Sequence, residues 1–136
     1  MQSLSSIRLK QRDAIEYLLQ QYFDGLYFCD VEKLSKVFHS HAQYCCAVGG
    51  EFRQLDMTQY FEVVKARISP SSRNNIRKDE IISIDIAGPE TALAKVHCAI
   101  DDRFFTDFLS LILYNKQWRI ISKVFHYEII KSNTTN

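Results

Sequence analysis

In the stretch RFFTDFLSLILY, residues 103–114, a lone carboxylate, Asp107, interrupts an alternation of apolar side chains that otherwise reads as a strand with one face in a core. A carboxylate on such a face must find a partner. The next segment, QWRIISKVFHYEII, carries His126 in the same alternation. If the two-residue turn at Asn115-Lys116 is tight, counting from it sets Asp107 opposite Val124 and His126 opposite Phe105. The carboxylate and the imidazole are then diagonal neighbours, about 7 to 8 Å apart between backbones and within side-chain reach. An Asp beside an imidazole fixes its tautomer and stabilises the charged ring, leaving the other nitrogen to move a substrate proton near neutral pH. A phenol such as Tyr27 or Tyr44 can donate a hydrogen bond to a carbonyl that becomes an enolate. The competing expectation is structural: Asp107 accepts backbone amides or pairs with His126 to close one end of the sheet. Neither version needs a metal or an organic cofactor, since two His and an Asp come with no H-x-x-x-H helix and no third ligand at a suitable spacing.

Extending the count to neighbouring strands divides the side chains into two faces. Ile82, Ile84, Ile86, Ala92, Ala94, Val96, Cys98, Phe105, Leu109, Leu111, Leu113, Trp118, Ile120, Ser122 and Val124 join Asp107 and His126 on a nearly apolar face. Phe105, Trp118 and Val124, with Tyr27 and Tyr44, are the expected wall of a ligand pocket. The opposite face mixes Lys95, His97, Phe104, Phe108, Lys123, Phe125 and Tyr127. An exposed face of this kind is a partner surface, and the commonest partner is a second copy of the same chain.

Helices must precede this sheet. Ile15, Leu18, Leu19, Tyr22, Phe23, Leu26 and Tyr27 recur at helical spacing and predict a long helix from about Ser5 to Cys29. Asp30 then caps a short second helix, DVEKLSKVF. AQYCCAVGGEFRQL predicts two short strands around Gly49-Gly50, and Asp56 with Gln59 forms a capping box for a third helix that Pro70 ends. Helices first and an antiparallel meander afterwards is an α+β order.

The chain has 136 residues, 46% apolar and 24% charged, with four Gly and two Pro, which suits one folded domain spanning 1–136. Nine Phe, seven Tyr and one Trp make it rich in aromatics, most of them on the patterned segments. A formal net charge of +1 is too balanced to build the basic face that nucleic-acid binding requires. The amino end lacks the apolar run of a secretory signal, and nowhere do enough apolar residues run together to cross a membrane. Cys29, Cys45, Cys46 and Cys98 lack CxxC spacing and are expected as reduced thiols of a cytoplasmic protein. Nothing near Cys46 would activate it as a nucleophile.

From IEYLLQQYFDGLYFCDVEKLSKVFHSHA to FTDFLSLILYNKQWRIISKVFH, and most specifically in FHSHA, FTDFLSL and WRIISKVFH, the sequence resembles the nuclear-transport-factor-two-like, or SnoaL-like, superfamily. Within it the resemblance is to the group named "putative lumazine-binding". The resemblance implies a cone-shaped α+β barrel in which a strongly curved antiparallel sheet wraps three helices and encloses a pocket, often dimeric through the sheet. It adds His39, which matches the histidine usual at the helix corner, to the acid/base set of Asp107 and His126; His41 stands where relatives commonly have an acid. The superfold hosts isomerases, cyclases, dehydratases and many non-catalytic binders. The expectation is therefore a homodimeric cone holding a small apolar or aromatic molecule in an internal, largely apolar pocket. The alternatives are a cofactor-independent isomerase, cyclase or dehydratase, and a non-catalytic interaction module.

Overall fold

The computed structural model describes residues 3–130. Helix α1 (Leu4–Tyr27) starts where the Ser3 hydroxyl accepts from the Ser6 amide, and it buries Ile15, Leu18, Leu19, Tyr22, Phe23 and Leu26 along one stripe. The chain turns at once through Cys29, whose φ is 49°, and the Asp30 carboxylate accepts from the Lys33 amide to cap α2 (Val31–Val37). Gly25 makes this corner possible: a Cβ there would lie 2.5 Å from the Leu34 side chain. The expected helical stripe runs one residue too far, because Phe38 already opens strand β1 (Phe38–Cys46).

A loop with a single 3-10 turn, in which Gly49 and Gly50 take positive φ, leads to β2 (Arg53–Asp56). It is longer than the tight hairpin expected. The capping box of Asp56 and Gln59 forms as read and opens α3 (Met57–Ala66). Four strands complete the chain: β3 (Glu80–Ile86), β4 (Thr91–Ile100), β5 (Arg103–Tyr114) and β6 (Gln117–Ile129). Together they form one six-stranded sheet in the order β2-β1-β6-β5-β4-β3. All neighbours are antiparallel except β1 and β6, which run parallel. The result is an α+β cone: a curved, unclosed mixed sheet around three helices, whose apolar stripes fill its concave side. Among the described residues no helix is long and apolar enough to cross a membrane.

Both tight turns are where the sequence puts them. Ile100 pairs with Arg103 and Tyr114 with Gln117, and Asn115 and Lys116 have φ of 50° and 64° as a primed hairpin turn requires. The face assignment nevertheless fails halfway along β6. Ser110 pairs with Ser122 but Leu111 pairs with Ile120, so Ile121 is an extra residue, a β-bulge. Because side chains alternate with period two, one inserted residue reverses every side chain beyond it. Lys123, Phe125 and Tyr127 therefore turn toward the core, and Ser122, Val124 and His126 turn outward. Asp107 lies opposite Phe125, not Val124, and His126 lies opposite Thr106, so the expected Asp107–His126 diagonal does not form. The same happens in β3, where Ile82 is skipped between the pairs Ile81–Val96 and Ser83–Lys95, and is exposed. No bulge interrupts β4, and its alternation stands as read.

Candidate functional site

Behind the apolar face lies a charged pair. Asp107 is fully buried, and its Oδ2 accepts a 2.6 Å hydrogen bond from the Tyr22 hydroxyl of α1. Lys123, 4% exposed, brings its Nζ to 4.0 Å from the same oxygen. The ammonium sits inside a ring of aromatics, 5.2 Å from the centroid of Tyr22, 5.6 Å from Tyr44, 5.5 Å from Tyr60 and 5.4 Å from Phe125. Cation–π attraction and the carboxylate together replace the hydration that burial removes. The Cys98 thiol is 4.0 Å from Oδ2 on the other side.

The electrostatics of this cluster are mutually dependent. Burial alone would push the Lys123 ammonium down, but Asp107 and the surrounding phenols outweigh it and hold the group above the ordinary lysine range. Burial, then the Asp107 charge, raises Tyr22 well above a normal phenol. Burial raises Tyr60 too, against the opposing charge of Lys123. Burial and Asp107 likewise hold the Cys98 thiol up, so it is an inert neutral group. Lys123 is thus a permanent cation near neutrality, suited to stabilising a negative oxygen and unsuited to nucleophilic attack. Two buried polar atoms, Asp107 Oδ1 and Tyr60 Oη, have no hydrogen-bond partner among the described residues. They leave acceptor and donor capacity beside the ion pair.

Much of the cone is filled. Tyr22 packs against Phe23 and Phe38, and Phe38 against Tyr60, so aromatics of α1, α3 and β1 take up much of the interior in which the sequence reading places a pocket. A cavity of about 350 Å³ lies at one end of the concave face. Its wall is Tyr44 and Cys46 of β1, Phe105 of β5, and Phe125 and Tyr127 of β6. Its rim is Glu51, Phe52, Arg53, Arg67 and Arg103. Tyr44 stacks on Tyr60 at 4.7 Å and touches Phe125 at the same distance, so this wall separates the cavity from Lys123 and Asp107. A wider depression of about 570 Å³ lies outside the cone, between α1, α2 and the β5–β6 turn. It is lined by Ala14, Tyr17, Leu18, Val37 and Trp118 together with charged side chains of both signs, Asp30 and Glu32 beside Lys33, Lys36, Lys116 and Arg119.

Of the residues expected at a site, Tyr44 and Phe105 line the cavity and Asp107 lies behind its wall. Trp118 is at the other end of β6, roughly 30 Å along the strand from Tyr127, and borders the outer depression. The bulge at Ile121 puts Val124 on the convex face and leaves His126 exposed there, its Nε2 3.7 Å from Glu128. His39 lies at the Trp118 end, edge-on to Tyr114, and its Nδ1 accepts from the His41 amide. Tyr27 is away from the cavity: its hydroxyl donates to the Asn75 carbonyl and the Arg77 guanidinium covers its ring. Asp107, His126 and His39 therefore occupy three separate environments. Among the described residues no three His, Cys, Asp or Glu side chains come together to hold a metal ion.

The model of the family described as "Putative lumazine-binding" matches residues 10–126 of the chain. The chain belongs to that family. No curated protein matches the sequence. Among solved structures, it is similar to an NTF2-like protein of unknown function from Shewanella baltica, with a TM-score of 0.78, 26% identity, and coverage of 88% of this chain and 95% of that one. An NTF2-like protein of unknown function from Silicibacter pomeroyi has a TM-score of 0.76 at 21% identity, covering 89% and 98%. A putative scytalone dehydratase from Novosphingobium aromaticivorans has a TM-score of 0.70 at 13% identity, covering 98% and 94%. These likenesses place this lumazine-binding-family member in the cone-like α+β fold.

For this family member the residues that sequence reasoning missed are Lys123, Tyr22 and Tyr60. For the two tyrosines a signal exists: a tyrosine on an apolar helical stripe needs a partner for its hydroxyl, and Tyr22 and Tyr60 both lie on such stripes. Lys123 carries none, because the bulge that turns it inward is a matter of strand pairing.

Proposed function

We propose that the chain binds a small, planar, largely apolar or aromatic molecule in the cavity on the concave face, against Tyr44, Phe105, Phe125 and Tyr127. The observation that carries this is a cavity of about 350 Å³ on which four aromatic side chains, Tyr44, Phe105, Phe125 and Tyr127, converge from three strands. That volume lies at the small end of ligand pockets, about 300–1,000 Å³. The family's description makes lumazine, a planar heterocycle, a natural member of a test panel. The panel, with 2-naphthol and similar flat aromatics, is screened by thermal shift. A binder present at about a hundred times its Kd should raise Tm by roughly 5–15 °C, and Tyr44→Leu or Phe105→Leu should weaken it about tenfold. The reading falls if no planar compound shifts Tm or if both variants bind as wild type does.

A second reading, cofactor-independent acid/base catalysis as in an isomerase, cyclase or dehydratase, is favoured by Asp107 Oδ1 and Tyr60 Oη. On that reading Lys123 stabilises a developing oxyanion, Tyr60 donates a proton and Tyr44 moves to admit the substrate.

The convex face supports a homodimer. Phe108 (47% exposed) pairs with Val124 (44%) across β5 and β6, and on β4 Lys95 lies across from Phe108 with Leu93 (41%) diagonal to it. The seam differs from the one expected, since Phe125 and Tyr127 have turned inward and Val124 has turned out. Light scattering should return twice the 15.9 kDa chain mass, and Phe108→Glu should halve it. A wild-type mass of one chain at micromolar concentration removes the dimer.

A further inference from the structure

The rim of the cavity carries more positive charge than a site for a neutral guest requires. Arg53 opens β2, Arg67 follows α3 and Arg103 opens β5, and these three separate segments converge on one cavity of about 350 Å³. Glu51 is the single acidic side chain lining it. Elsewhere Arg12 meets Glu16, Arg73 meets Asp101, and Arg77 meets both Asp24 and Asp79, while Arg8 and Arg119 bond to side-chain amide and backbone oxygens and stand apart from one another. Among the described residues Arg53, Arg67 and Arg103 have no carboxylate within ion-pair distance. Like charges gathered without counter-ions repel, so the arrangement favours an arriving anion.

Their geometry suits a particular anion. The Arg103 guanidinium sits 4.8 Å over the ring of Tyr127, and that of Arg53 lies 5.8 Å from the Tyr44 centroid, so two of the three rest on the cavity's own aromatic wall. Stacking leaves the guanidinium edges free to donate paired hydrogen bonds in the plane, the pattern that matches a carboxylate. The inner cation, Lys123, is already balanced by Asp107, so the rim alone carries the excess charge. We infer that the ligand of this cavity is an aromatic carboxylate, its ring on Tyr44, Phe105 and Phe125 and its carboxylate held by Arg53, Arg67 and Arg103.

This inference rests on the pocket reading above and is tested with the matched pair 2-naphthoate and 2-naphthamide, with lumazine as a neutral control, by calorimetry on the full chain. Naphthoate should bind at least tenfold more tightly than naphthamide, Arg67→Gln and Arg103→Gln should each cost roughly tenfold for naphthoate alone, and added salt should weaken naphthoate selectively. Lys33→Gln/Lys36→Gln, in the outer depression, should change nothing. Naphthamide binding as tightly as naphthoate, or lumazine binding while naphthoate does not, overturns the carboxylate assignment and leaves the pocket standing. Naphthoate binding that ignores both arginine variants, or that is lost in the Lys33/Lys36 variant, also overturns it. Failure of all three probes to bind overturns the pocket reading with it.

Discussion

Asp107→Ala should lower the free energy of unfolding by about 3–5 kcal/mol, because it leaves the Lys123 ammonium as an uncompensated charge inside an aromatic cage. The Tyr22 hydroxyl loses its acceptor in the same step. A second change tests the cause. Asp107→Leu combined with Lys123→Met removes both charges and keeps apolar volume, and it should recover most of the loss, since a buried pair contributes little net stability against a well-packed apolar replacement. Urea unfolding of the wild type, each single variant and the double variant gives the coupling directly. A coupling near zero would mean that Asp107 and Lys123 do not share one environment.

The same pair sets how stability depends on alkali. In the wild type Lys123, Tyr22 and Tyr60 all have folded values raised above their ordinary 10.5, 10.0 and 10.0. Between the unfolded and folded values the native chain holds the extra protons. Their contribution is therefore complete below about pH 10 and is lost as pH rises through the folded values. Asp107→Ala removes the main upward influence on Lys123 and leaves burial, which acts downward. The variant's lysine should then make stability rise with pH toward 10.5, the opposite slope from that lysine in the wild type.

Inserting one alanine between Ser122 and Lys123 should abolish cooperative folding. With the bulge kept, the added residue takes the place opposite Leu109 and shifts all that follows, driving Lys123, Phe125 and Tyr127 out of the core and Val124 and His126 into it. The loss of Phe125 from the core and of the counter-ion for Asp107 exceeds the roughly 5–15 kcal/mol by which a domain of this size is stable. Circular dichroism should show no sharp thermal transition, whereas deletion of Ile121, which leaves Ser122 opposite Ser110 and every later pair unchanged, should melt cooperatively. An insertion variant with a native-like melt would falsify the claim that the register of β6 determines the site.

This bulge also explains how the sequence-based reading of the site went astray while that of the fold did not. The helical stripe from Ile15 to Leu26, the Asp30 cap and the Asp56–Gln59 capping box are local: each depends on residues within one or two turns, and the structure reproduces them. The turns at Asp101-Asp102 and Asn115-Lys116 are equally local. The family likeness in FHSHA, FTDFLSL and WRIISKVFH spans most of the chain, and the cone follows from it. Asp107, a charge alternating with Phe105 and Leu109, was legible as a buried carboxylate in need of a partner.

Which partner it finds was decided in three dimensions. Ile121 and Ile82 bulge where β6 and β3 must bend with a curved sheet, a demand set by neighbouring strands and not by the residues themselves. That single step exchanges His126 for Lys123 beside Asp107 and converts an expected imidazole pair into an ammonium held by rings. Tyr22 meets Asp107 across 85 positions of sequence, and Arg53, Arg67 and Arg103 meet one another only because the open end of the cone gathers three chain segments. Sequence by itself determined the elements, the fold and the presence of a buried charge, because those depend on short-range periodicity and capping. The identity of its partner, the filling of the cone and the charge of the cavity rim depend on strand register and long-range approach, which only the folded sheet supplies.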